Sequence, residues 1–337
     1  MRILTRLLLV ALALGVTPGV AAEAPSYTVP MGIALDAWPY PYPVHYLPLA
    51  IEGQTLRMAY MDVAPDGAAN GRAVLLLHGK NFGGFYWERP IRALAQAGFR
   101  VVVPDQIGFG KSAKPDLHYG FDLLAANTIA LLDALKIDRV DVIGHSMGGM
   151  LAIRFARSHA ARVDHLVLED PIGLEDYRRF VPAPSLEALF RAQLAQTPEG
   201  YRRYVKAYFA HWRPEFESLV EPYARMMLDA EYPRFAMASA LTSEMIYQQP
   251  VVYDLPLVTE PTLLIIGQAD HTAPGRPAAP PDLGKLMGNY PKLGRDAAAA
   301  IPGARLVEIE DVGHIPHLEV PDRFEAVLLD FLLNRQR

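Results

Sequence analysis

The chain has 337 residues, 51% of them hydrophobic, and a formal net charge of -5. That length suits one large domain with an insertion or two smaller ones, and the mild charge, with no basic stripe or arginine-rich arm, argues against nucleic acid as a partner. Cysteine is absent, which excludes disulfides, thiolate metal sites and cysteine nucleophiles together. The ten histidines form no ligand pair of the HExxH kind, so no metal and no cofactor is expected.

Residues 1–22 have the features of a signal peptide. Arg2 and Arg6 precede the apolar run Leu7 to Val16, and Val20, Ala21 and Ala22 supply small residues at a cleavage site. The run is short for a bilayer span, so the expectation is export to a bacterial periplasm or beyond, with no stable membrane span after cleavage, and an uncleaved membrane anchor is the alternative. Residues 23–43 are rich in proline and aromatics (WPYPYP), a composition that resists helix and sheet and predicts an extended stretch across the surface.

From His45 the pattern becomes regular. Strands are expected at His45 to Ile51 and Gln54 to Val63, joined at Glu52 and Gly53. The short apolar run Ala73 to Leu77 marks a strand buried on both faces, Arg100 to Val103 is a second buried strand, and Arg139 to Ile143 and Val163 to Glu169 are expected as the next two strands. Helical segments alternate with them at Trp87 to Ala97, Phe121 to Leu135 and Met147 to His159. This alternation predicts an α/β fold with a mostly parallel, doubly wound sheet. It breaks between Pro171 and Val258, where helical, aromatic-rich sequence holds no convincing strand, and resumes at Thr262 to Ile266 and Arg305 to Ile309 before a closing helix at Asp322 to Leu333. The expected organisation is therefore a core of residues 44–170 and 259–337 with an inserted helical cap at 171–258.

The stretch VDVIGHSMGGMLA, Val140 to Ala152, joins a buried strand to a helix through Gly144, His145, Ser146, Met147 and Gly148. In such a GxSxG turn the glycines sit where side chains would collide with backbone, and the serine hydroxyl is pushed out at the sheet edge. The unpaired N–H groups of the following helix favour negative charge at the same spot.

Further motifs follow in order: His78-Gly79 after a strand, Asp105, Gly108, Gly110 and Ser112 as DxxGxGxS, Gly267, Asp270 and Pro274 as GxxDxxxP, and Gly313, His314, Glu319 and Pro321 as GHxxxxExP. With them the chain resembles the α/β-hydrolase fold family, in its serine-nucleophile subgroup with a helical cap, over nearly everything after residue 45. The resemblance implies a catalytic triad of Ser146, Asp270 and His314, with an oxyanion held by the backbone N–H groups of Met147 and Lys80. The chemistry needs those types: imidazole near neutral pH takes the hydroxyl proton, and a carboxylate fixes its tautomer and stabilises its charge.

Glu169 or Asp170 could supply the acid instead, since some relatives place it there, and His317 competes with His314 as base. His78 and His145 flank the site and are expected to pack or tune it. Asp105 is expected to be a structural loop residue. Lys80 stands where apolar residues are more usual in the family. The aromatic cap predicts a mostly apolar pocket, and the proline- and glycine-rich stretch between Asp270 and His314 predicts an extra loop at its mouth. The expected activity is hydrolysis of small to medium hydrophobic carboxylic esters, lactones or similar acyl compounds. Carbon–carbon bond hydrolysis or cofactor-free perhydrolysis with the same triad is the alternative, and a non-catalytic binding protein the remote one.

Overall fold

The computed structural model describes residues 25–334, so the signal-peptide expectation for residues 1–22 lies outside the described residues. The chain opens with an antiparallel hairpin, β1 (Val44–Ile51) and β2 (Gln54–Val63). Its two-residue turn, Glu52 and Gly53, has positive φ at both positions (47° and 74°), the geometry that matches the twist of paired strands.

Six further strands follow: β3 (Ala73–Leu77), β4 (Arg100–Pro104), β5 (Val140–His145), β6 (Val163–Glu169), β7 (Thr262–Gly267) and β8 (Arg305–Ile309). They form one eight-stranded sheet in the order β1-β2-β4-β3-β5-β6-β7-β8, antiparallel at β1-β2 and β2-β4 and parallel elsewhere. Every residue of β3, β5 and β7 is buried. The reason is that helices cover both faces. Helices α1 (Glu88–Gln96) and α11 (Pro321–Leu333) pack with Val74, Leu76, Val101, Val103 and Ile265 on one face. Helices α2 (Phe121–Ala134), α3 (Met147–Ser158) and α9 (Tyr290–Ala300) pack with Leu75, Leu77, Val102, Leu264 and Ile266 on the other. Successive strand residues thus feed opposite cores, as the two-residue repeat of a strand requires.

Between β6 and β7 the chain forms α4 (Leu186–Leu194), α5 (Pro198–Lys206), α6 (Glu221–Met226), α7 (Tyr232–Gln248) and short 3-10 turns. Tyr201, Tyr208, Phe209, Phe216, Tyr223 and Phe235 of this helical insertion are buried with Phe82, Tyr86 and Trp87 of the core, so the insertion and the sheet share one hydrophobic mass.

Two expectations need correction. Residues 25–43 do lack helix and strand, yet Met31, Ile33 and Leu35 are buried. The Met31 N–H donates to the Arg225 carbonyl at 3.1 Å and the Tyr40 hydroxyl to Asp105 at 2.6 Å. Three apolar side chains removed from water supply roughly 1.5 to 3 kcal/mol each, enough to draw a proline-rich strap inward. The stretch between Asp270 and His314 is likewise no simple loop: it holds a short helix α8 (Pro281–Gly284) and then α9 and β8. The Tyr290 hydroxyl, at the start of α9, donates to the Pro171 carbonyl at 3.2 Å.

Candidate active site

The turn after β5 is fixed by what cannot fit in it. A Cβ on Gly148 would lie 2.1 Å from the Leu77 carbonyl oxygen, and one on Gly144 would lie 2.3 Å from the Gly148 carbonyl oxygen. Both obstacles are backbone, so neither can swing aside. Gly148→Ala is expected to cost about 3 kcal/mol or more, at the upper end for overpacking, seen as a lowered urea midpoint or as loss of soluble protein. Between these glycines Ser146 sits at φ 57°, a strained conformation for a residue with a Cβ, as the residue before the first turn of α3.

His314, in the loop after β8, places Nε2 2.9 Å from Ser146 Oγ and Nδ1 2.7 Å from Asp270 Oδ2. Asp270, in the loop after β7, accepts the Thr272 N–H on its other oxygen at 2.7 Å. All three side chains are almost fully buried. The sheet order explains the meeting: β5, β6, β7 and β8 are consecutive neighbours, and the three residues leave their C-terminal edge, where ligands bind in open parallel sheets. On the other side of β5 lies β3, whose His78-Gly79 turn packs against the start of α3: a Cβ on Gly148 would also lie 2.8 Å from the His78 carbonyl oxygen. Among the described residues neither the Lys80 nor the Met147 N–H has a protein acceptor.

The rivals pair elsewhere. Glu169 accepts the His317 N–H at 2.7 Å and faces His317 Nδ1 at 2.8 Å, both side chains fully buried, so the competing acid and the competing base occupy each other. Asp170 receives the Gly267 N–H at 3.0 Å, tying β6 to the end of β7. Burial, with Asp270 and Glu169 nearby, pushes its carboxyl well above the usual range. Asp105 organises its own loop, accepting from the Gly84 and Lys111 N–H groups at 2.6 and 2.7 Å. Among the described residues no group of three or more His, Asp or Glu could hold a metal.

His145 and His78 are positioning groups. Burial, with His314 and His317 close by, holds the His145 imidazole well below its ordinary pKa, so it is neutral. Its Nε2 meets the His314 carbonyl at 2.8 Å and must carry the proton, which leaves Nδ1 to accept from the Tyr86 hydroxyl at 2.9 Å. That hydroxyl in turn accepts the Gly79 N–H at 2.9 Å. One chain of hydrogen bonds thus links the His78-Gly79 turn to the peptide of His314. His78 Nε2 accepts the Gln106 N–H at 3.0 Å, and burial lowers its pKa too.

Sequence reasoning assigned no role to four further residues. The Tyr208 carbonyl accepts the His314 N–H at 2.6 Å, and the Tyr208 ring lies 4.8 Å from the imidazole, centroid to centroid. Asn81 donates to the hydroxyls of Tyr204 and Tyr208 at 3.1 and 3.0 Å. Glu319 accepts the N–H groups of Gly313 and Ala210 at 2.7 and 3.0 Å, and Tyr86 makes the bonds just described. Only Glu319 lay in a quoted motif; the others meet partners far off in sequence. Lys80 gains a partner as well: its Nζ donates to Ser239 Oγ of α7 at 3.0 Å.

Comparison with known proteins bears on the family and the fold. A family model described as the alpha/beta hydrolase family matches residues 74–327. A 2-hydroxy-6-oxononadienedioate/2-hydroxy-6-oxononatrienedioate hydrolase of Burkholderia vietnamiensis is 30% identical over 297 residues, covering 85% of this chain and 94% of the relative. Among solved structures, a "probable hydrolytic enzyme" of Pseudomonas aeruginosa superposes with a TM-score of 0.88 at 50% identity, over 90% of this chain and 98% of the other. An enol-lactonase of Burkholderia xenovorans gives a TM-score of 0.62 at 26% identity, over 86% and 100% of the two chains.

Proposed function

This chain belongs to the alpha/beta hydrolase family, and on that premise we propose that it is a serine hydrolase of carboxylic esters, lactones or similar acyl compounds, working through an acyl-enzyme. The observation that carries the proposal is the unbroken line Ser146 Oγ, His314 Nε2, His314 Nδ1, Asp270 Oδ2, at 2.9 and 2.7 Å.

In the proposed reaction His314 Nε2 accepts the hydroxyl proton as Ser146 Oγ attacks the carbonyl carbon. The Nδ1–H donates to the Asp270 carboxylate, which stabilises the imidazolium while it lasts. The N–H groups of Met147 and Lys80 receive the oxyanion, and α3 directs the positive end of its dipole to the same place. Collapse expels the alcohol, which takes its proton from His314 Nε2. Water, deprotonated by the same nitrogen, then cleaves the acyl-serine ester.

The Burkholderia vietnamiensis relative favours a second reading, in which the bond broken is carbon–carbon. The leaving group is then a carbon atom, and the His314 imidazolium delivers its proton there. Short p-nitrophenyl esters, a fluorophosphonate probe and a dienoic ketone test the proposal together. Ester turnover with labelling of Ser146 is expected; turnover of the ketone alone would favour the second reading, and neither turnover nor labelling would reject both.

Export forms part of the proposal and rests on Arg2, Arg6 and the small residues Val20 to Ala22. Intact mass of protein from a periplasmic extract is expected to give an N-terminus near Glu23; a full-length chain in the membrane fraction would count against cleavage. Among the described residues no helix is long and apolar enough to cross a membrane.

A further inference from the structure

Lys80 is half-buried and Lys114 buried, and the two are treated differently. Lys114 gives its ammonium to the carbonyl oxygens of Gly110 and Ser112, and so braces the loop that Asp105 organises. Lys80 meets a single acceptor among the described residues, the Ser239 hydroxyl, and no carboxylate among them acts on it. Ser239 passes its own hydrogen to Gln193 Oε1 at 3.1 Å, and the Gln193 amide donates to the Tyr232 hydroxyl at 2.9 Å. Every group in this chain is neutral. An ammonium has three N–H donors, so the half-buried Lys80 side chain holds unfilled donor capacity and a charge that no anionic group of the described residues balances. Burial alone pushes its pKa down to about 8, which still leaves it charged at neutral pH.

The position of that charge is what gives it meaning. Among the described residues the backbone N–H of Lys80 has no protein acceptor; the His78-Gly79 turn before it packs against the Ser146 turn, where a Cβ on Gly148 would lie 2.8 Å from the His78 carbonyl oxygen, and its side chain reaches Ser239 of α7 in the insertion. A group lying between the nucleophile and the insertion would find the ammonium within reach. Resting on the serine-hydrolase reading, we propose that Lys80 anchors a carboxylate on the substrate, so that the acyl compound cleaved here is an anion carrying a free carboxylate within a lysine side chain of the scissile carbonyl. A single ammonium surrounded by neutral groups balances one negative charge. No arginine fork and no second cation stands with it, so a monoanionic carboxylate fits better than a phosphate dianion.

The test compares matched substrate pairs. Mono-p-nitrophenyl glutarate against p-nitrophenyl pentanoate carries the carboxylate on the acyl side, and 4-acetoxybenzoate against phenyl acetate carries it on the leaving group. The wild-type protein is expected to favour the anionic member of one pair by about tenfold or more in kcat/KM, the equivalent of one modest charge pair. Lys80→Met is expected to erase that ratio and Lys80→Arg to retain most of it. The ratio is the readout because disturbance of the turn or of the tether to Ser239 slows both members alike. Equal or better cleavage of the neutral ester in both pairs by the wild type overturns the proposal, as does an unchanged ratio in Lys80→Met.

If Lys80→Met does not fold, calorimetric titration of the wild type with glutarate and with glutaramide decides, tighter binding of the diacid being expected and equal binding fatal. Labelling of Ser146 by the fluorophosphonate without carboxylate preference would sink the anchor and leave the serine reading standing. Absence of labelling and of ester turnover would sink the serine reading, while the titration would still report on the anchor.

Discussion

Ser146→Ala is expected to lower ester turnover by on the order of 10⁵ to 10⁶, the scale seen when the nucleophile of a serine triad is removed, and to abolish fluorophosphonate labelling. Thermal stability is expected to stay nearly the same. The hydroxyl makes one hydrogen bond, to His314 Nε2, and contributes little to the fold beyond it. Alanine keeps the Cβ and therefore inherits the strained φ of 57°, so the variant gains nothing from relaxation of the turn. A stopped assay together with a melting curve separates the two quantities. Turnover within tenfold of wild type would reject Ser146 as nucleophile.

Asp270→Asn is expected to lower turnover about ten-thousandfold while the protein stays folded. An asparagine can present its amide to His314 Nδ1 as a donor, which forces that nitrogen to accept and moves the imidazole proton to Nε2, where it faces Ser146 Oγ and cannot take a proton from it. Glu169→Gln is the instructive contrast. Its partner is His317, both groups fully buried, and breaking a buried pair from one side typically costs about 3 to 5 kcal/mol. That variant is expected to lose stability markedly and to keep far more turnover per folded molecule than Asp270→Asn. Denaturant midpoints and kcat measured on the same preparations check both. Near-normal turnover in Asp270→Asn, with loss in Glu169→Gln or Asp170→Asn, would move the acid to the end of β6.

Much of the sheet is legible in the sequence because β3, β5 and β7 are covered on both faces, and a strand so placed is apolar except where a polar side chain finds a partner, as Asp141 does in Arg72 and His145 in Tyr86. The GxSxG turn is legible for a steric reason, since only glycine fits against the Leu77 and Gly148 carbonyls. The motifs singled out Asp270 and His314, which do meet; what they left hidden was the fate of the rivals. Glu169 and His317 are 148 residues apart, and nothing local in either stretch reports that they pair. The strap at residues 25–43 misled for a similar reason: its prolines forbid regular structure, but the fate of Met31 and Leu35 depends on a hydrophobic surface assembled from α1, α6 and α11. Tyr86 and Tyr208 were likewise invisible as positioning groups, because their work is done by a hydroxyl and by a carbonyl oxygen whose partners lie in other segments.

The base of the proposed triad is mounted partly on the insertion. The His314 N–H ends on the Tyr208 carbonyl, and the Glu319 carboxylate gathers Gly313 from the core and Ala210 from the insertion into one clasp. A hinged lid swinging clear of the sheet would carry that carbonyl away and unseat the imidazole. Side-chain rearrangement, by contrast, would leave the backbone around residue 208 and its bond to His314 in place. The same bond links two properties that protein engineers usually vary separately: replacing the insertion to accept a different substrate also replaces half the mounting of the base, so a transplanted insertion must first reproduce one carbonyl oxygen before the selectivity it brings can be expressed.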